Sequence, residues 1–568
     1  MSEPKKERIL FALSMGLLLV FYAIGLFFNV TGDAAKYAFI SKNIAQNNQW
    51  LFLNIQGEPY FQKPPFLFWL SALSFKTLGV SNLTFKLPIF LYSLLGFWGT
   101  YRLGKSLFDK KIGVMAATML AFSVVSVLYN SDIHTDIVLQ TNVVLSMWLL
   151  YDYLKTRKLI FLIAGAFTVG LSILTKGPFG AIIPFFAVLG YLISQRQYKM
   201  LYSPMWLIFI LIVGAMTIPA LLPLFEQKGT EGLWFFIWEN NIGRVTGSYM
   251  GTNPDPLYYL HSFAYLLLPW SIVVGAGVYF QFKKFIKKQF LPQEHFLFWG
   301  TWVVFILLSI SMSKLQNYAQ SLVPLIFIIT ANAWQHYFMR KKNPWKLAHQ
   351  ILIYTIWGLI IIIPMLINLK KGIPFSLLSL GLLLVSFTTI QDLLPSKKLY
   401  HGTLLLFLGM AFTLNAYILP KLLTVQAEPE AAEIIAKKIM TGEKVYNYNL
   451  LSLERREQAR VKTEKEKTSS FDKTPNVRHF FLNYELMFYS DQKINHIENS
   501  TQLNRVLHEK GAWIYTDPKG KTAILRQAKY IESIYTLDHF NLRRPGHSID
   551  WKNRRIKFDK MYLIHLKP

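Results

Sequence analysis

The sequence has no cysteine and few charged residues. The absence of cysteine from its 568 residues excludes disulfides, thiolate metal sites and cysteine nucleophiles. Charged residues make up 16% of the chain, against about a quarter in globular proteins, whereas 52% of the residues are hydrophobic. The basic residues lie mostly in short links between apolar runs, so the net charge of +28 does not indicate a nucleic-acid-binding face. This composition indicates a membrane protein.

Long apolar runs define the predicted membrane spans. A helix needs about 20 apolar residues to cross the roughly 30 Å hydrocarbon core of a bilayer. The first run follows the basic residues 1–8 and has no small-residue cleavage site, which predicts an uncleaved helix and not a signal peptide. A shorter run, Pro64 to Phe75, predicts an interfacial or re-entrant helix. Thirteen runs qualify or nearly qualify as spans: residues 9–32, 87–101, 112–131, 137–151, 159–175, 177–195, 200–225, 256–282, 295–313, 315–339, 347–369, 373–391 and 399–420.

The charges of alternate links predict the orientation of these spans. With the N-terminus in the cytoplasm, the links on that side contain 22 Lys and Arg in 55 residues, and the opposite links contain 11 in 94. This asymmetry satisfies the positive-inside rule. We therefore expect a multi-pass membrane protein with a cytoplasmic N-terminus and a transmembrane domain at residues 1–420. Two long loops, residues 33–86 and 226–255, and a further domain at residues 421–568 are expected on the outer side.

Residues 421–568 differ in character from the rest of the chain. Their charge and their short strand-like runs predict a soluble α/β domain. A helix is predicted over Glu430–Met440, and the highly charged stretch Ser452–Thr474 is interpreted as a loop or a mobile helix. Strands are predicted over Lys444–Tyr448, Phe480–Tyr489, Ala512–Tyr515, Ile531–Leu537 and Met561–Leu566.

The cytoplasmic links leave no room for a nucleotide-binding domain. The longest of them has 12 residues, Lys283 to Glu294, and the sequence contains no Walker A motif. An ATP-driven pump and an enzyme that uses a cytoplasmic nucleotide sugar are both disfavoured. Any reaction is therefore expected on the outer face.

Acidic residues lie at the outer ends of two predicted spans. Asp33 follows the first span, with Lys36 one helical turn further on, and this pattern fits a general base, a group that orients a polar acceptor, or a solvated helix cap. Asp132, His134 and Asp136 share one very short link, where two carboxylates and an imidazole favour proton transfer. A metal site with two or three ligands and a simple polar hairpin remain alternatives for this link.

Several separate cations lie on the same outer face. Lys63 precedes Pro64 and Pro65 at a predicted helix start, where the helix dipole and an aromatic surface suit a lipid phosphate. Each cation alone also fits an interfacial anchor. Because they converge on one face with few acids between them, we expect a lipid phosphate or diphosphate that arrives laterally in the membrane. The other cations are Lys176, Arg244 and Lys314.

Taken in order, these residues resemble a known family. The resemblance covers about the first 330 residues and is closest to the bacterial 4-amino-4-deoxy-L-arabinose (lipid A) transferases, a branch of the GT-C glycosyltransferases related to the protein O-mannosyltransferases. A C-terminal periplasmic α/β domain is usual in this branch. The residues that carry it are Asp33 with Tyr37, Lys63-Pro64-Pro65, Thr135-Asp136, Thr175-Lys176-Gly177-Pro178, Pro256 with Tyr258-Tyr259, and Ser313-Lys314-Leu315 with Tyr318 and Pro324.

The resemblance implies a fold, an activity and site residues. It implies a polytopic α-helical GT-C protein of the bacterial inner membrane with about 13 transmembrane helices, in which the two outer loops and the C-terminal domain are periplasmic. The implied activity is an inverting transfer of a sugar from a polyprenyl-phosphate carrier to lipid A, another glycolipid or glycan, or a protein in the envelope. Asp33 and Asp136 would be the essential carboxylates, and Asp132, His134, Tyr258 and Tyr259 are secondary candidates. The donor phosphate or lipid would be bound by Lys36, Tyr37, Lys63, Lys176, Arg244, Lys314 and Tyr318.

Three positions depart from the family pattern. The usual Asp-Glu pair is Asp33-Ala34, the Glu before the Lys-Pro-Pro motif is Gln62, and a family histidine is replaced by Asn253. Because an acid and an imidazole are missing, we expect no zinc at that position and no cofactor, with a metal-assisted transfer as the alternative. The sequence leaves the sugar and the acceptor open.

Two other functions are weighed against a transferase. A transporter or flippase of lipid-linked sugars would distribute ionisable groups through the membrane interior, whereas here they gather at one face. A non-catalytic scaffold that displays the C-terminal domain gives no reason for the shared placement of Asp33, Asp136 and the lysines. The sequence favours the transferase.

Overall fold

The protein folds into a helical bundle that is followed by an α/β domain. The computed structural model describes residues 3–247, 253–338, 343–367, 369–391, 393, 395–451, 453–454, 482–528, 530–540, 549–550 and 555–567. The bundle contains α1 (Glu3–Gly25), α2 (Gly32–Asn47), α3 (Phe66–Leu78), α4 (Asn82–Leu107), α5 (Lys110–Ala121), α6 (Val124–Ser131), α7 (Thr135–Thr156), α8 (Leu159–Lys176), α9 (Phe179–Ser194) and α10 (Tyr198–Leu201). It continues with α11 (Met205–Trp234), α12 (Ile242–Thr246), α13 (Tyr258–Leu266), α14 (Ser271–Ile286), α15 (Pro292–Ile310), α16 (Val323–Ala333), α17 (Pro344–Ile367), α18 (Leu369–Ile390), α19 (Pro395–Thr413) and α20 (Leu419–Leu423).

The helices follow the apolar runs of the sequence. Each of the thirteen runs falls on a helix or on consecutive helices, so the predicted polytopic helical fold is confirmed. Within the described residues, eight helices are long and apolar enough to cross a membrane, or nine if α5 and α6, which are bent by 53°, form one span. The predicted short helix after Pro64 is α3.

Helix α7 lies at the centre of the bundle. It packs against α4, α8 and α9, and nearly all of its side chains are buried, although its sequence is less apolar than that of the outer helices. A polar helix is tolerated at this depth because its hydroxyl and amide groups find partners on neighbouring helices. Asn142, for example, accepts from Tyr92 and donates to the hydroxyl of Thr175 at 3.2 Å. The centre of the bundle therefore carries polar groups from one end of α7 to the other.

The segment between α1 and α4 forms a folded cap. It contains α2, a hairpin of β1 (Asn54–Ile55) and β2 (Glu58–Pro59), and α3. Helix α4 begins at a capping box, in which Ser81 and Thr84 exchange hydrogen bonds. The other predicted outer loop, residues 226–255, is partly helical, because α11 continues to Trp234 with an interruption at Gly229, and a π-helix follows at Phe235–Glu239.

The C-terminal α/β domain is built on one five-stranded sheet. Its strand order is β4-β3-β5-β9-β6, with β3 parallel to β4 and β5, and with β9 antiparallel to β5 and β6. The elements of the domain are α21 (Ala427–Lys438), β3 (Val445–Tyr448), α22 (Tyr484–Tyr489), β4 (Ile494–His496), α23 (Ser500–Val506), β5 (Trp513–Thr516), α24 (Pro518–Gln527), β6 (Ile531–His539), β7 (Ile549–Asp550), β8 (Arg555–Ile556) and β9 (Asp559–Leu566).

One element of this domain differs from the sequence-based expectation. The strand predicted over Phe480–Tyr489 is wrong, because the described part of that range is the helix α22. The side chain of Asn483 accepts the backbone N–H of Leu486 at 2.9 Å and so starts the helix. The predicted loop Ser452–Thr474 lies outside the described residues except for residues 453 and 454.

Candidate functional site

The candidate site lies where the ends of several helices meet. Asp33 is in the first turn of α2, Asp136 is in the first turn of α7, and Lys176 ends α8. Lys63 lies just before α3, and Arg244 lies on α12. Five separate elements therefore bring to one end of the bundle the charged groups that the sequence singles out.

Asp33 and Lys36 form an ion pair on α2. The Lys36 Nζ donates to the Asp33 Oδ1 at 2.8 Å, with the Asp33 side chain 53% exposed and the Lys36 side chain 11% exposed. Partial burial alone would raise the pKa of Asp33, but Lys36 holds it below the usual range for an aspartate. Asp33 is therefore a carboxylate at neutral pH, with one oxygen bound to Lys36 and an exposed face.

Asp136 and Lys176 form a second ion pair deeper in the bundle. Both side chains are almost fully buried, and Asn317 Nδ2 donates to the other Asp136 oxygen at 2.6 Å. Because a buried charge needs such partners, the pair fixes the position of Lys176 as much as that of Asp136. The Lys176 Nζ also lies 4.2 Å from the centre of the Tyr318 ring.

The pKa of Lys63 depends on burial and on the charged groups around it. Burial lowers its pKa well below the usual range, and the positive charges of Arg244 and Lys176 lower that pKa further, against the opposing effect of Asp136. An anion placed among these three cations would raise the pKa of Lys63 again. The arrangement is thus suited to a bound anion.

A cavity of about 170 Å³ opens beside these cations. Its polar end is formed by Lys63, Lys176 and Arg244, with Tyr318 accepting a hydrogen bond from Arg244. The rest of the wall is mainly apolar, and it is lined by Phe179, Ile182, Ile242, Val245, Val304, Leu307 and Leu308. A ligand with an anionic head and a hydrocarbon tail fits this division.

The other predicted site residues lie around this centre in different roles. Tyr37 is buried with its ring 5.7 Å from that of Phe68, beneath Asp33. His134 Nε2 lies 3.2 Å from the Asp132 carboxylate, and the charges of Asp132, Asp136 and Asp33 outweigh burial and raise the pKa of His134. These groups stay close to Asp33 and Asp136.

Of the predicted site residues, the cavity is lined by Lys63, Lys176, Arg244 and Tyr318, and the predicted donor ligands Lys36, Tyr37 and Lys314 lie outside its lining. Lys314 is directed at the backbone, because its Nζ donates to the carbonyl of Asn253 at 2.7 Å. Tyr258 and Tyr259 start α13, where their rings contact each other at 5.3 Å. Lys314 therefore helps to hold the chain near residue 253. Tyr258 and Tyr259 do not line the cavity.

Comparison with known proteins connects this geometry to a family. Residues 62–222 match the family model described as dolichyl-phosphate-mannose-protein mannosyltransferase. An undecaprenyl phosphate-alpha-4-amino-4-deoxy-L-arabinose arabinosyl transferase of Serratia proteamaculans is 23% identical over 56% of this chain and 58% of its own length. The corresponding transferase of Wigglesworthia glossinidia brevipalpis is 23% identical over 74% and 77%, and an uncharacterised protein of Aquifex aeolicus is 25% identical over 73% and 79%.

A solved structure extends the likeness to the whole chain. The crystal structure of ArnT from Cupriavidus metallidurans bound to undecaprenyl phosphate superposes with a TM-score of 0.72, at 16% identity, over 97% of both chains. The chain shares the fold of this transferase. The superposition covers the helical bundle and the C-terminal domain.

One polar residue of the candidate site, Asn240, is absent from the sequence-based set. Asn240 Oδ1 accepts from Arg244 Nε at 3.1 Å and from Nη2 at 2.9 Å, while its Nδ2 donates to the carbonyl of Gln62 at 3.2 Å. Asn240 thereby links the Lys63 segment to α12. The only signal in the sequence is the spacing of Asn240 and Arg244, which is one helical turn.

The residues at the positions that depart from the family pattern do not suit a metal. Gln62 and Asn253 replace an acid and an imidazole, and amide groups are weak ligands for zinc. Among the described residues, no group of three His, Asp or Glu side chains is close enough to share a metal ion.

Proposed function

We propose that this protein is a GT-C glycosyltransferase that transfers a sugar from a polyprenyl-phosphate carrier to an acceptor of the cell envelope. The cavity beside Lys63, Lys176 and Arg244 is the observation that carries the proposal, because it joins a cationic end to an apolar wall. Two of the named relatives are undecaprenyl phosphate-alpha-4-amino-4-deoxy-L-arabinose arabinosyl transferases, and the superposed crystal structure contains undecaprenyl phosphate, which supports the same class of donor here.

The three cations are proposed to bind and stabilise the phosphate. Lys63, Lys176 and Arg244 would donate charge-assisted hydrogen bonds to the carrier phosphate before transfer and to the polyprenyl phosphate that leaves. Asp136 fixes Lys176, and Asn240 fixes Arg244, so both cations are positioned before the donor arrives. This preorganisation is what stabilises a developing negative charge.

Asp33 is proposed to accept a proton from the acceptor. In a single displacement, the acceptor hydroxyl oxygen bonds to the anomeric carbon as the bond from that carbon to the phosphate oxygen breaks. The hydroxyl proton passes to Asp33, and the carrier leaves as polyprenyl phosphate. One displacement inverts the anomeric configuration. Asp33 suits this role because it is ionised and exposed, whereas Asp136 is buried and engaged.

We also propose the location and the division of the chain. The charge asymmetry of the links supports a cytoplasmic N-terminus in the inner membrane. The transmembrane domain is proposed at residues 1–420 and the periplasmic domain at residues 421–568. The acceptor is then an envelope lipid, a glycan or a protein that reaches the periplasmic face.

A transfer assay tests the proposed function. Purified protein is incubated in detergent with radiolabelled polyprenyl-phosphate sugars and an envelope extract. We expect label in an acceptor with the wild type and a large loss with a Lys63→Met, Arg244→Met double variant, whereas Lys110→Gln at the opposite end of the bundle keeps the rate. If label stays on its carrier in detergent but crosses the membrane of vesicles reconstituted with the same protein, the protein would instead be a transporter.

A further inference from the structure

The short helix α22 of the C-terminal domain is inserted into the folded cap of the bundle. The ring of Phe488 stacks on that of Phe75, with 6.1 Å between the ring centres, and lies 6.4 Å from that of Phe85. Lys42 of α2 donates to the carbonyls of Phe488 and Ser490 at 3.1 and 2.8 Å, which caps the C-terminal end of α22. The hydrophobic core thus continues from the bundle into the C-terminal domain.

A second residue of α22 holds the connection between α1 and α2. The hydroxyl of Tyr489 accepts the backbone N–H of Val30 at 2.6 Å and donates to Asn82 Oδ1 at 2.7 Å. These bonds reach the chain two residues before the start of α2. The contacts of α22 therefore extend along the backbone towards Asp33.

Glu485 makes the contact next to Asp33. Its Oε1 accepts the backbone N–H of Gly32, the first residue of α2, at 2.7 Å. Gly32 has a φ of 58°, a left-handed conformation that a glycine adopts without strain at this sharp turn. Thr31 at the N-cap makes no side-chain hydrogen bond to α2. Thr31 therefore provides no side-chain acceptor for the first N–H groups of α2. The Glu485 carboxylate of the C-terminal domain provides one for the N–H of Gly32.

The neighbouring residue on α22 reaches the partner of Asp33. The Lys36 Nζ, which binds Asp33, lies 5.9 Å from the centre of the Tyr484 ring. Tyr484 and Glu485 are consecutive, so one turn of the C-terminal domain contacts both the backbone before Asp33 and the lysine that pairs with it. This places the domain at the reaction centre and not only beside the bundle.

The placement of the Glu485 carboxylate has an electrostatic cost. Burial and the nearby Glu428 carboxylate raise the pKa of Glu485 to about 7, while its bond to Gly32 opposes that rise. A glutamine at the same position keeps an acceptor oxygen and removes the charge. The pair of variants Glu485→Ala and Glu485→Gln therefore separates the hydrogen bond to Gly32 from the negative charge.

We propose that Glu485 is a positioning residue for Asp33, so that the C-terminal domain completes the reaction centre of the transmembrane domain. The inference rests on the proposed function, in which Asp33 accepts the acceptor proton. A shift of the turn at Gly32 moves Asp33 without removing it. Such misplacement slows the chemical step, since a displacement of about 1 Å can cost on the order of 100-fold in rate.

The activity test compares the two variants with the wild type over a range of donor concentrations. We expect Glu485→Ala to lower kcat by about 10-fold to 100-fold with little change in the KM for the donor, and Glu485→Gln to keep most of the wild-type kcat. The proposal is overturned if Glu485→Ala keeps the wild-type kcat, or if Glu485→Gln is as slow as Glu485→Ala.

A variant of Lys42, the α2 residue that contacts the C-terminal end of α22, controls for loosened docking of the C-terminal domain. Lys42→Met removes the bonds to the carbonyls of Phe488 and Ser490. Lys42 itself lies more than two helical turns along α2 from Asp33. We expect this variant to lower the Tm and to keep kcat. An equal loss of kcat in Lys42→Met and Glu485→Ala would show that only domain docking matters, and it would overturn the positioning role.

Hydrogen–deuterium exchange separates this proposal from the proposed function. We expect faster exchange of the amides at residues 31–36 in Glu485→Ala, and wild-type exchange in Glu485→Gln. Unchanged exchange in Glu485→Ala overturns the positioning role even if the enzyme is active. If Glu485→Ala exchanges faster but the wild type transfers no sugar, the contact between Glu485 and Gly32 is supported and the proposed transferase function is wrong.

Discussion

Asp33 and Lys36 are the pair whose charge determines the proposed chemistry. Asp33 keeps its proton-accepting form because Lys36 opposes the effect of burial on its pKa. The deprotonated form of Asp33 is the active one, so the acid side of the pH–rate profile follows that pKa. This relation can be tested by changing Lys36 alone.

Lys36→Gln is expected to move the acid side of the pH–rate profile to higher pH. Removing the ammonium raises the pKa of Asp33, so the carboxylate becomes protonated at a pH where the wild type is still ionised. The rate of label transfer is measured across the acidic range for both proteins and for Lys110→Gln. If the profile of Lys36→Gln coincides with that of the wild type, Lys36 does not lower the pKa of the group that controls the rate.

Lys63 is expected to make phosphate binding dependent on pH. As the pH rises through its lowered pKa, Lys63 loses its charge and the affinity for polyprenyl phosphate falls. Lys63→Met is expected to bind about 10-fold to 100-fold more weakly, as for the loss of a hydrogen bond to a charged group. Lys63→Arg is expected to bind with less dependence on pH, because a guanidinium does not titrate in this range.

Binding of polyprenyl phosphate to purified protein over a pH series checks both Lys63 variants. Equal affinity of Lys63→Met and the wild type would remove Lys63 from the donor site. A persistent pH dependence in Lys63→Arg would assign that dependence to another group.

At the residue scale, the sequence predicts which charged residues gather but not how they pair. Asp33, Lys63, Asp136, Lys176 and Arg244 all lie at one end of the bundle, as expected. The pairing of Asp136 with Lys176 needs the packing of α7 against α8, which no local pattern reveals. Lys314 fits the same sequence pattern as the other cations, yet its contact is with a backbone carbonyl.

The close approach of α4 and α5 depends on two glycines. A Cβ on Gly113 would lie 2.5 Å from the carbonyl oxygen of Tyr101, and a Cβ on Gly104 would lie 2.8 Å from the Cα of Gly113. Both contacts are with backbone atoms, which cannot rotate away. Small residues of this kind allow membrane helices to pack backbone to backbone.

Gly113→Ala is expected to destabilise the protein by about 1–3 kcal/mol through overpacking between these helices. Thermal unfolding in detergent measures the effect as a lower Tm. Gly214→Ala on α11 is the matched control, because a Cβ there meets no atom within 4 Å. A Tm for Gly113→Ala equal to that of the control would show that the two helices can separate without cost.

Helices are the elements that the sequence predicts best, because each apolar run is long enough to require one in a membrane. The segment around α22 is predicted wrongly since its aromatic and apolar residues suit a strand equally well. Its helical form is stabilised by the Asn483 cap and by contacts with Phe75, Phe85 and Lys42, which are about 400 residues away along the chain.

For the whole molecule, the link charges predict that the site faces the periplasm. Because the chain has no cysteine, single cysteines can report on each side. We expect Lys437→Cys, on an exposed side chain of α21, to react with a membrane-impermeant maleimide in intact spheroplasts. Lys287→Cys, between α14 and α15, is expected to react only after permeabilisation. The reverse pattern would place the site in the cytoplasm.

The measurement that tests the central proposal most directly is the balance between released carrier and transferred sugar. Purified wild type and Asp33→Asn are compared for polyprenyl phosphate formed and for sugar gained by the acceptor. We predict equal amounts of both with the wild type, and a rate about 100-fold to 10,000-fold lower with Asp33→Asn. Carrier released without sugar in an acceptor, or an Asp33→Asn protein as fast as the wild type, would contradict transfer with Asp33 as the base.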